Sequence, residues 1–306
     1  MDIVHIRFNQ LNSIMDEHVA AIGNFDGLHA GHQKVIERSK KLALKHKMKL
    51  GLLSFDITPR QVVNNIDNYY VLKSLDQKNK MLEDLGVDTL FLIHFNHEIK
   101  NMSPIDFINN VIINNNIKYL VCGFDFRFGK DKAGDTDLLK KQSKFETVVL
   151  DKVEFDNKKI GSTAIHEYLS HGEIEKANQL LNKNYSIIGK VITGNQKGRT
   201  IGFPTANIRP IVNYRIPQVG VYATKVIYKG KEYIGMTNIG HNPTFNFSQT
   251  ASIETNIIDF DEDIYGEEIE VVFYKAIRRE RIFDGIDCLI EQLKSDREEI
   301  VNYFNS

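Results

Sequence analysis

No stretch of the 306-residue chain approaches the ~18 consecutive apolar residues of a membrane-crossing helix. Its opening, Met1-Asp2-Ile3-Val4-His5-Ile6-Arg7, also lacks a basic segment followed by an apolar one. No membrane partner is expected, and the chain reads as cytoplasmic. Cysteine is scarce: Cys122 and Cys288 stand far apart and in no Cys-x-x-Cys spacing. Neither a disulfide framework nor a thiolate zinc site can be built from them, so two buried, reduced thiols are expected. An excess of charge is missing too, since 39 Lys plus Arg face 40 Asp plus Glu for a net charge of −1. Binding to nucleic acid through bulk electrostatics is therefore not expected, although local basic sites remain open. No internal repeat and no low-complexity segment occurs beyond Asn114-Asn115-Asn116, which reads as a helix-terminating loop.

What is present is an ordinary globular composition, 42% hydrophobic and 26% charged, in a chain about twice the usual single-domain length. Two domains are expected. Up to about residue 182, short apolar runs alternate with segments of helical period, the pattern of a parallel sheet covered by helices. The strand candidates are Val19 to Ile22, Leu50 to Phe55, Thr89 to His94, Tyr119 to Cys122 and Thr147 to Val149. Between the first two, Gly31 to Lys49 is a crossover helix with Val35, Ile36, Leu42 and Leu44 on its apolar face and a basic outer face. Ser162-Thr163 opens another helical stripe, and Gly172 separates it from a second that carries Ile174, Ala177, Leu180 and Leu181.

After Asn182-Lys183-Asn184 the texture changes to β-branched and aromatic runs broken by Gly, Asn, Asp and Pro. Tyr185 to Val191, Gly220 to Tyr228, Glu232 to Thr237, Ser252 to Phe260 and Glu268 to Phe273 read as strands of an all-β barrel or sandwich. Ile286, Leu289, Ile290 and Leu293 mark a closing helix. The expected domains are 1–183 and 184–306.

The first chemical constellation is Gly23-Asn24-Phe25-Asp26-Gly27-Leu28-His29-Ala30-Gly31-His32, between a strand and a helix. Such a turn presents backbone N–H groups and a helix dipole to phosphate. It is neither a Walker loop nor a dinucleotide-binding Gly-x-Gly-x-x-Gly. Two imidazoles three residues apart, His29 and His32, can donate hydrogen bonds to triphosphate oxygens and stabilise charge that builds on a departing pyrophosphate. The plainer account has one histidine capping the helix and the other packing on the sheet.

This segment resembles the nucleotide-binding motif of the adenylyltransferase half of bacterial bifunctional riboflavin kinase/FAD synthetases. Gly123-Phe124-Asp125-Phe126-Arg127-Phe128-Gly129 resembles the family's flavin-side loop, and Gly161-Ser162-Thr163-Ala164-Ile165 its serine-threonine ATP motif. The resemblance implies a Rossmann-like nucleotidyltransferase domain in which Gly23, Asn24, Phe25, Asp26, Gly31, Asp125, Arg127, Ser162 and Thr163 bind substrates and His29 and His32 are catalytic. Two positions depart from the family pattern. Thr58 stands where a histidine is usual, and His166 where an arginine is, so a permanent cation is replaced by an imidazole.

The second constellation is Gly198-Arg199-Thr200-Ile201-Gly202-Phe203-Pro204-Thr205-Ala206-Asn207. Residues two apart on an extended segment face one side, so Thr205 and Asn207 can offer two oxygens to one Mg²⁺, with Lys197 and Arg199 near for phosphate. A β-turn carrying solvated charge accounts for the same residues. The string resembles the riboflavin kinase signature, and Gly220-Val221-Tyr222-Ala223, Asn238-Ile239-Gly240, Pro243-Thr244-Phe245, Ile253-Glu254-Thr255 and Asp263-Ile264-Tyr265-Gly266 follow in the family's order. It implies a riboflavin-kinase-type β-barrel with a C-terminal helix, Glu254 as general base for the riboflavin 5′-hydroxyl, and Arg278 on the flavin and phosphate side. Asn256 stands where a histidine is common. The acidic stretch Asp259 to Asp263 reads as a solvated turn that needs no ion.

The expectation is thus a bifunctional enzyme that phosphorylates riboflavin to FMN with ATP and Mg²⁺ and adenylylates FMN to FAD with release of pyrophosphate. A second reading keeps the kinase and makes the N-terminal domain a weakly active or non-catalytic nucleotide- or flavin-binding regulatory module; Thr58 and His166 motivate it. A third, an interaction protein using the basic face of the 31–49 helix, has only a charge run behind it.

Overall fold

The computed structural model describes residues 1–8, 10, 14–64, 66, 69–152, 154–155, 158–194, 197–241 and 251–306. They form two compact units, Met1–Tyr69 with Ser74–Gly161, and Tyr70–Lys73 with Ser162–Ser306.

The first unit is built on six parallel strands, β1 (Asp2–Ile6), β2 (His18–Ile22), β3 (Lys49–Phe55), β4 (Thr89–Ile93), β5 (Ile117–Gly123) and β6 (Glu146–Leu150), in the order β1-β4-β3-β2-β5-β6. β2 and β4 are buried at every position, as befits strands covered on both faces. Alternate residues enter two separate cores: Ala20 and Ile22 join Leu53 and Phe91, while Val19 and Ala21 join Leu50 and Leu52. The edge strand β1 was not foreseen, because its short run DIVHI is largely exposed and carries little apolar signal. The crossover helix runs Ala30–His46 and ends in a left-handed cap at Lys47. Its buried face is Val35, Ile36, Leu42 and Ala43. Leu44 was assigned to that face but is 73% exposed, because Ala43 takes the inward position and the next residue turns out to solvent. A two-stranded hairpin, β7 (Glu154–Phe155) with β8 (Lys158–Lys159), follows the sheet.

The chain moves outward from β2 to β3 and β4, then returns to the other side of β2 to form β5. Ligand crevices form at such reversals, beyond the carboxyl ends of the strands. The turn after β2 and the loop after β5 are the two segments that meet this requirement.

The second unit is a closed antiparallel barrel of β9 (Tyr185–Ile192), β10 (Ala206–Pro210), β11 (Gly220–Tyr228), β12 (Lys231–His241), β13 (Ala251–Ile257) and β14 (Glu268–Arg279). The order is β10-β13-β12-β11-β14-β9, with β9 pairing back onto β10, so no strand edge is left open. A barrel, not a sandwich, is therefore formed. The helices Ser162–Ser170 and Ile174–Leu181 belong with this unit. The second of them packs on β9 and β14, and Asn178 donates to the carbonyl of Phe273 at 2.9 Å while accepting from the Tyr185 N–H at 2.7 Å. The closing helix Ile286–Asn305 lays Ile290, Leu293, Ile300, Val301 and Phe304 against Val221, Ala223 and Met236.

Of the two cysteines, Cys122 is buried in the sheet, where desolvation pushes its thiol up to about 12. Cys288 is exposed on the closing helix, contrary to the expectation that both are buried. Among the described residues no helix is long and apolar enough to cross a membrane.

Candidate functional sites

The turn after β2 is held in a costly backbone shape. Phe25 and Leu28 adopt left-handed φ values of 48° and 50° although neither is glycine. Each costs ~1–3 kcal/mol and persists only where the surroundings over-determine it. Here both side chains are fully buried in the core beneath the sheet, so packing opposes any relaxation. The turn thereby delivers His29 to the N-cap of the helix Ala30–His46, where its Nδ1 accepts from the His32 N–H at 3.3 Å. The two imidazole rings stack with centroids 3.6 Å apart. Gly31 is closely overlain: a Cβ there would meet the His29 ring at 3.2 Å. The plain account of one capping histidine is thus correct for His29, and the same bond stacks His32 beside it, next to Phe25 at 5.0 Å. Asp26 is buried in the same turn.

Below the turn lies a cation that sequence reasoning missed. Lys78, in the first turns of the helix Leu75–Asp84, donates from Nζ to Ser54 Oγ at 2.6 Å, and Ser54 donates onward to the Asn24 carbonyl at 3.3 Å. Desolvation pulls the Lys78 ammonium down to about 8, against the opposing influence of Asp26 and Asp56. In the loop after β5, Arg127 is ion-paired with Asp135 at 3.0 Å and Asp125 is exposed. Thr58 stands at the N-cap of a short helix, Pro59–Val63, without a capping bond from its side chain, and hydrogen-bonds Tyr69 instead. Ser162 and Thr163 open the helix Ser162–Ser170, which counts with the second unit.

In the barrel, β10 pairs with β13 so that Asn207 lies across from Glu254, and β12 sets Asn238 on its other side. Thr205 Oγ1 donates to Glu254 Oε2 at 3.4 Å. Asn256 donates to the Pro204 carbonyl at 2.7 Å, which fixes the chain one residue before Thr205. Gly194 leaves room for the same cluster: a Cβ there would lie 2.2 Å from the Asn207 amide.

Two cavities share Thr205 as a wall. One, of about 300 Å³, is lined by apolar Ile201, Phe203, Met236 and Leu293 and by charged Glu254 and Arg278, among others. The other, of about 80 Å³, is bounded by Arg199, Thr255, Phe260, Glu262, Asp263 and Tyr265. Arg199 sits 5.9 Å from the Tyr265 ring centroid. The acidic turn is exposed, as expected, with Glu262 and Asp263 also bordering the smaller cavity, while Asp259 pairs with Arg297 at 2.9 Å. Lys197 opens the turn Lys197–Thr200, its side chain lying outside the described residues, as do Pro243, Thr244 and Phe245.

Arg278 lies near the end of β14 and is largely buried. Its Nε and NH2 both reach Asp296 Oδ2 at 2.8 Å, and Gln292 donates to Asp296 Oδ1 at 2.6 Å. Asp296 escaped sequence reading, yet a signal was present. It falls three residues after Leu293 and four before Ile300, a carboxylate on the inward stripe of the closing helix.

Hard, neutral oxygens suit Mg²⁺, which keeps waters and takes substrate phosphates more readily than an all-protein cage. Thr205 and Asn207 offer such a set beside a carboxylate, and among the described residues no cluster of three His, Cys, Asp or Glu could hold a metal instead.

Residues 11–164 match the family model described as FAD synthetase, and residues 181–304 the one described as riboflavin kinase. The chain is 41% identical to the bifunctional riboflavin kinase/FMN adenylyltransferase of Listeria monocytogenes, over 94% of this chain and 92% of that one. With the protein of the same description from Bacillus subtilis it shares 38%, over 98% and 95%. A solved structure titled macrolide-efflux protein, from Streptococcus pneumoniae, superposes with a TM-score of 0.91 at 31% identity over 99% of each chain. That title describes transport, while the fold it shares is the one matched here by two enzyme models.

Proposed function

The chain belongs to the bifunctional riboflavin kinase/FMN adenylyltransferase family, and from that premise we propose which of its residues carry each reaction. The two activities are ATP-dependent phosphorylation of riboflavin to FMN and adenylylation of FMN to FAD with release of pyrophosphate.

For phosphorylation, the observation that carries the assignment is Glu254 in the wall of the larger cavity, across from Asn207 and hydrogen-bonded by Thr205, the residue that both cavities share. The larger cavity takes the isoalloxazine ring against its apolar side chains and brings the ribityl 5′-hydroxyl to Glu254. The carboxylate accepts the hydroxyl proton as that oxygen attacks the γ-phosphorus of ATP. The Thr205 hydroxyl, donating to one carboxylate oxygen, leaves the other for the substrate. The smaller cavity receives the nucleotide, with Arg199 and Lys197 for its phosphates. Thr205 and Asn207 would hold Mg²⁺, which when bound offsets the charge of the nucleotide phosphates. Arg278, clamped by Asp296, directs its remaining N–H groups to the flavin and phosphate side.

For adenylylation, His29 and His32 donate to the oxygens around the α-phosphorus as the FMN phosphate attacks and pyrophosphate leaves. Backbone N–H groups from Asn24 through Asp26 and at Gly31 hold the phosphates, and Asp125 and Arg127 contact the flavin side. We assign this reaction to residues 1–183 and the kinase to 184–306. Two ATP-consuming steps suit a cytoplasmic enzyme.

Incubating the purified chain with riboflavin, ATP and Mg²⁺ and separating the flavins is expected to give FMN first and FAD after it. Absence of FMN overturns the kinase assignment. Supplying FMN directly tests the other half, and failure to form FAD would restore the regulatory-module reading, which full-length relatives carrying both activities in their description do not favour.

A further inference from the structure

Lys78 is placed unlike a surface lysine. Its helix is anchored at the N-terminus by a complete capping box, in which Ser74 and Gln77 bond reciprocally at 3.2 and 2.9 Å, so the residue that follows has little positional freedom. From there Nζ reaches Ser54 at the carboxyl end of β3, and through Ser54 it is tied to the Asn24 carbonyl in the glycine turn. The ammonium therefore lies on the same rim of the parallel sheet as the turn itself.

Its charge is not cancelled locally. The two carboxylates that act on it, Asp26 and Asp56, make no ion pair with it among the described residues. Asp56 is already engaged by His94 Nδ1 at 2.8 Å, by the Phe95 N–H at 3.0 Å and by the Ile57 N–H at 2.7 Å. His94 in turn contacts His5 at 2.7 Å. Ser54 uses one of three ammonium N–H groups, and no other acceptor is bonded to it among the described residues. A desolvated cation with spare donors, tied through Ser54 to the turn that leads into the helix Ala30–His46, is the arrangement that anionic phosphate oxygens satisfy.

We propose that Lys78 is a phosphate-binding cation of the adenylylation site. The proposal rests on the reading of this unit as the site of FAD formation. The phosphate is that of FMN or one of the ATP triphosphate, and the two are separable by experiment.

Lys78→Met and Lys78→Gln, each checked for folding by thermal unfolding, are to be compared with the unaltered chain. Three quantities are read: KM for FMN at saturating ATP, KM for ATP at saturating FMN, and equilibrium affinity for each ligand by calorimetry. Losing a charge-assisted hydrogen bond is expected to weaken one ligand by about tenfold or more, with riboflavin phosphorylation by the same polypeptide unchanged. Weakening confined to ATP assigns the triphosphate, and weakening confined to FMN assigns the flavin phosphate. A folded variant with unaltered affinity for both ligands overturns the proposal, even where kcat falls, since that outcome marks a structural role through Ser54. If the unaltered chain forms no FAD, the functional reading fails separately, and the two affinities still decide the assignment of Lys78.

Discussion

The guanidinium of Arg278 and the carboxylate of Asp296 are locked together, Nε and NH2 each 2.8 Å from the same oxygen, with Asp296 only 2% exposed. A cavity-lining cation on β14 is thereby oriented by the closing helix, eighteen residues later in the chain. Removing one member of a buried pair strands the other, at a cost of about 3–5 kcal/mol. Asp296→Ala is expected to lower the stability of the barrel unit by that order in urea unfolding and to depress riboflavin phosphorylation. FMN adenylylation should be retained.

Glu254→Gln keeps the shape of the side chain and removes the proton acceptor. General-base catalysis is worth about 10²- to 10⁴-fold, so FMN formation should fall by that order while FAD formation from supplied FMN continues. His29→Ala with His32→Ala should do the reverse. Loss of both activities in either folded variant would contradict separate sites.

Gly194→Ala would drive a Cβ to within 2.2 Å of the Asn207 side chain, which must then move. If Asn207 helps hold Mg²⁺, the variant needs a higher Mg²⁺ concentration for half-maximal phosphorylation. An unchanged Mg²⁺ dependence would remove Asn207 from the metal site.

The pH dependence of FAD formation follows from Lys78. Desolvation lowers its ammonium from the usual 10.5 to about 8. Because the folded value lies below the unfolded one, the charged form penalises the folded state fully below about pH 8, and the penalty relaxes as pH rises toward 10.5. The cation itself is lost over the same rise. Affinity for the phosphate ligand should therefore decline above about pH 8 in the unaltered chain, and this limb should disappear in Lys78→Met. Titration of binding by calorimetry across that range provides the check.

Several features were legible because they are local. The interval from Gly23 to His32 encodes a strand end, a turn and a helix start within ten consecutive residues, and the stripe Ile174, Ala177, Leu180, Leu181 is buried as its period implies. Asn116 ends its helix in a left-handed cap, as an asparagine run permits. Thr205 and Asn207 could be paired by the two-residue repeat of an extended chain, although β10 itself is too short to announce its partners.

Other features had no local signal. Helical period placed Leu44 inside, but whether it or Ala43 faces the sheet depends on how the helix is rotated when it docks. The acidic run from Asp259 is solvated as read, but that Glu262 and Asp263 share a cavity wall with Arg199 depends on the curl of the barrel. Asn256, read only as a departure from its relatives, proves to hold the Pro204 carbonyl.

The sequence alone determined the two classes of fold and the glycine turn between β2 and its helix, since each follows from residue types at short, regular spacing; it pointed to Glu254 only through resemblance to a family. Tertiary structure decided the pairing of β9 with β10 that closes the barrel, the grip of Asp296 on Arg278, and the reach of Lys78 to Ser54. These join residues from separate elements, and their existence depends on which faces are buried together. Spacing along the chain carries no record of that, because hydrophobic burial specifies which residues go inside without specifying which of them meet.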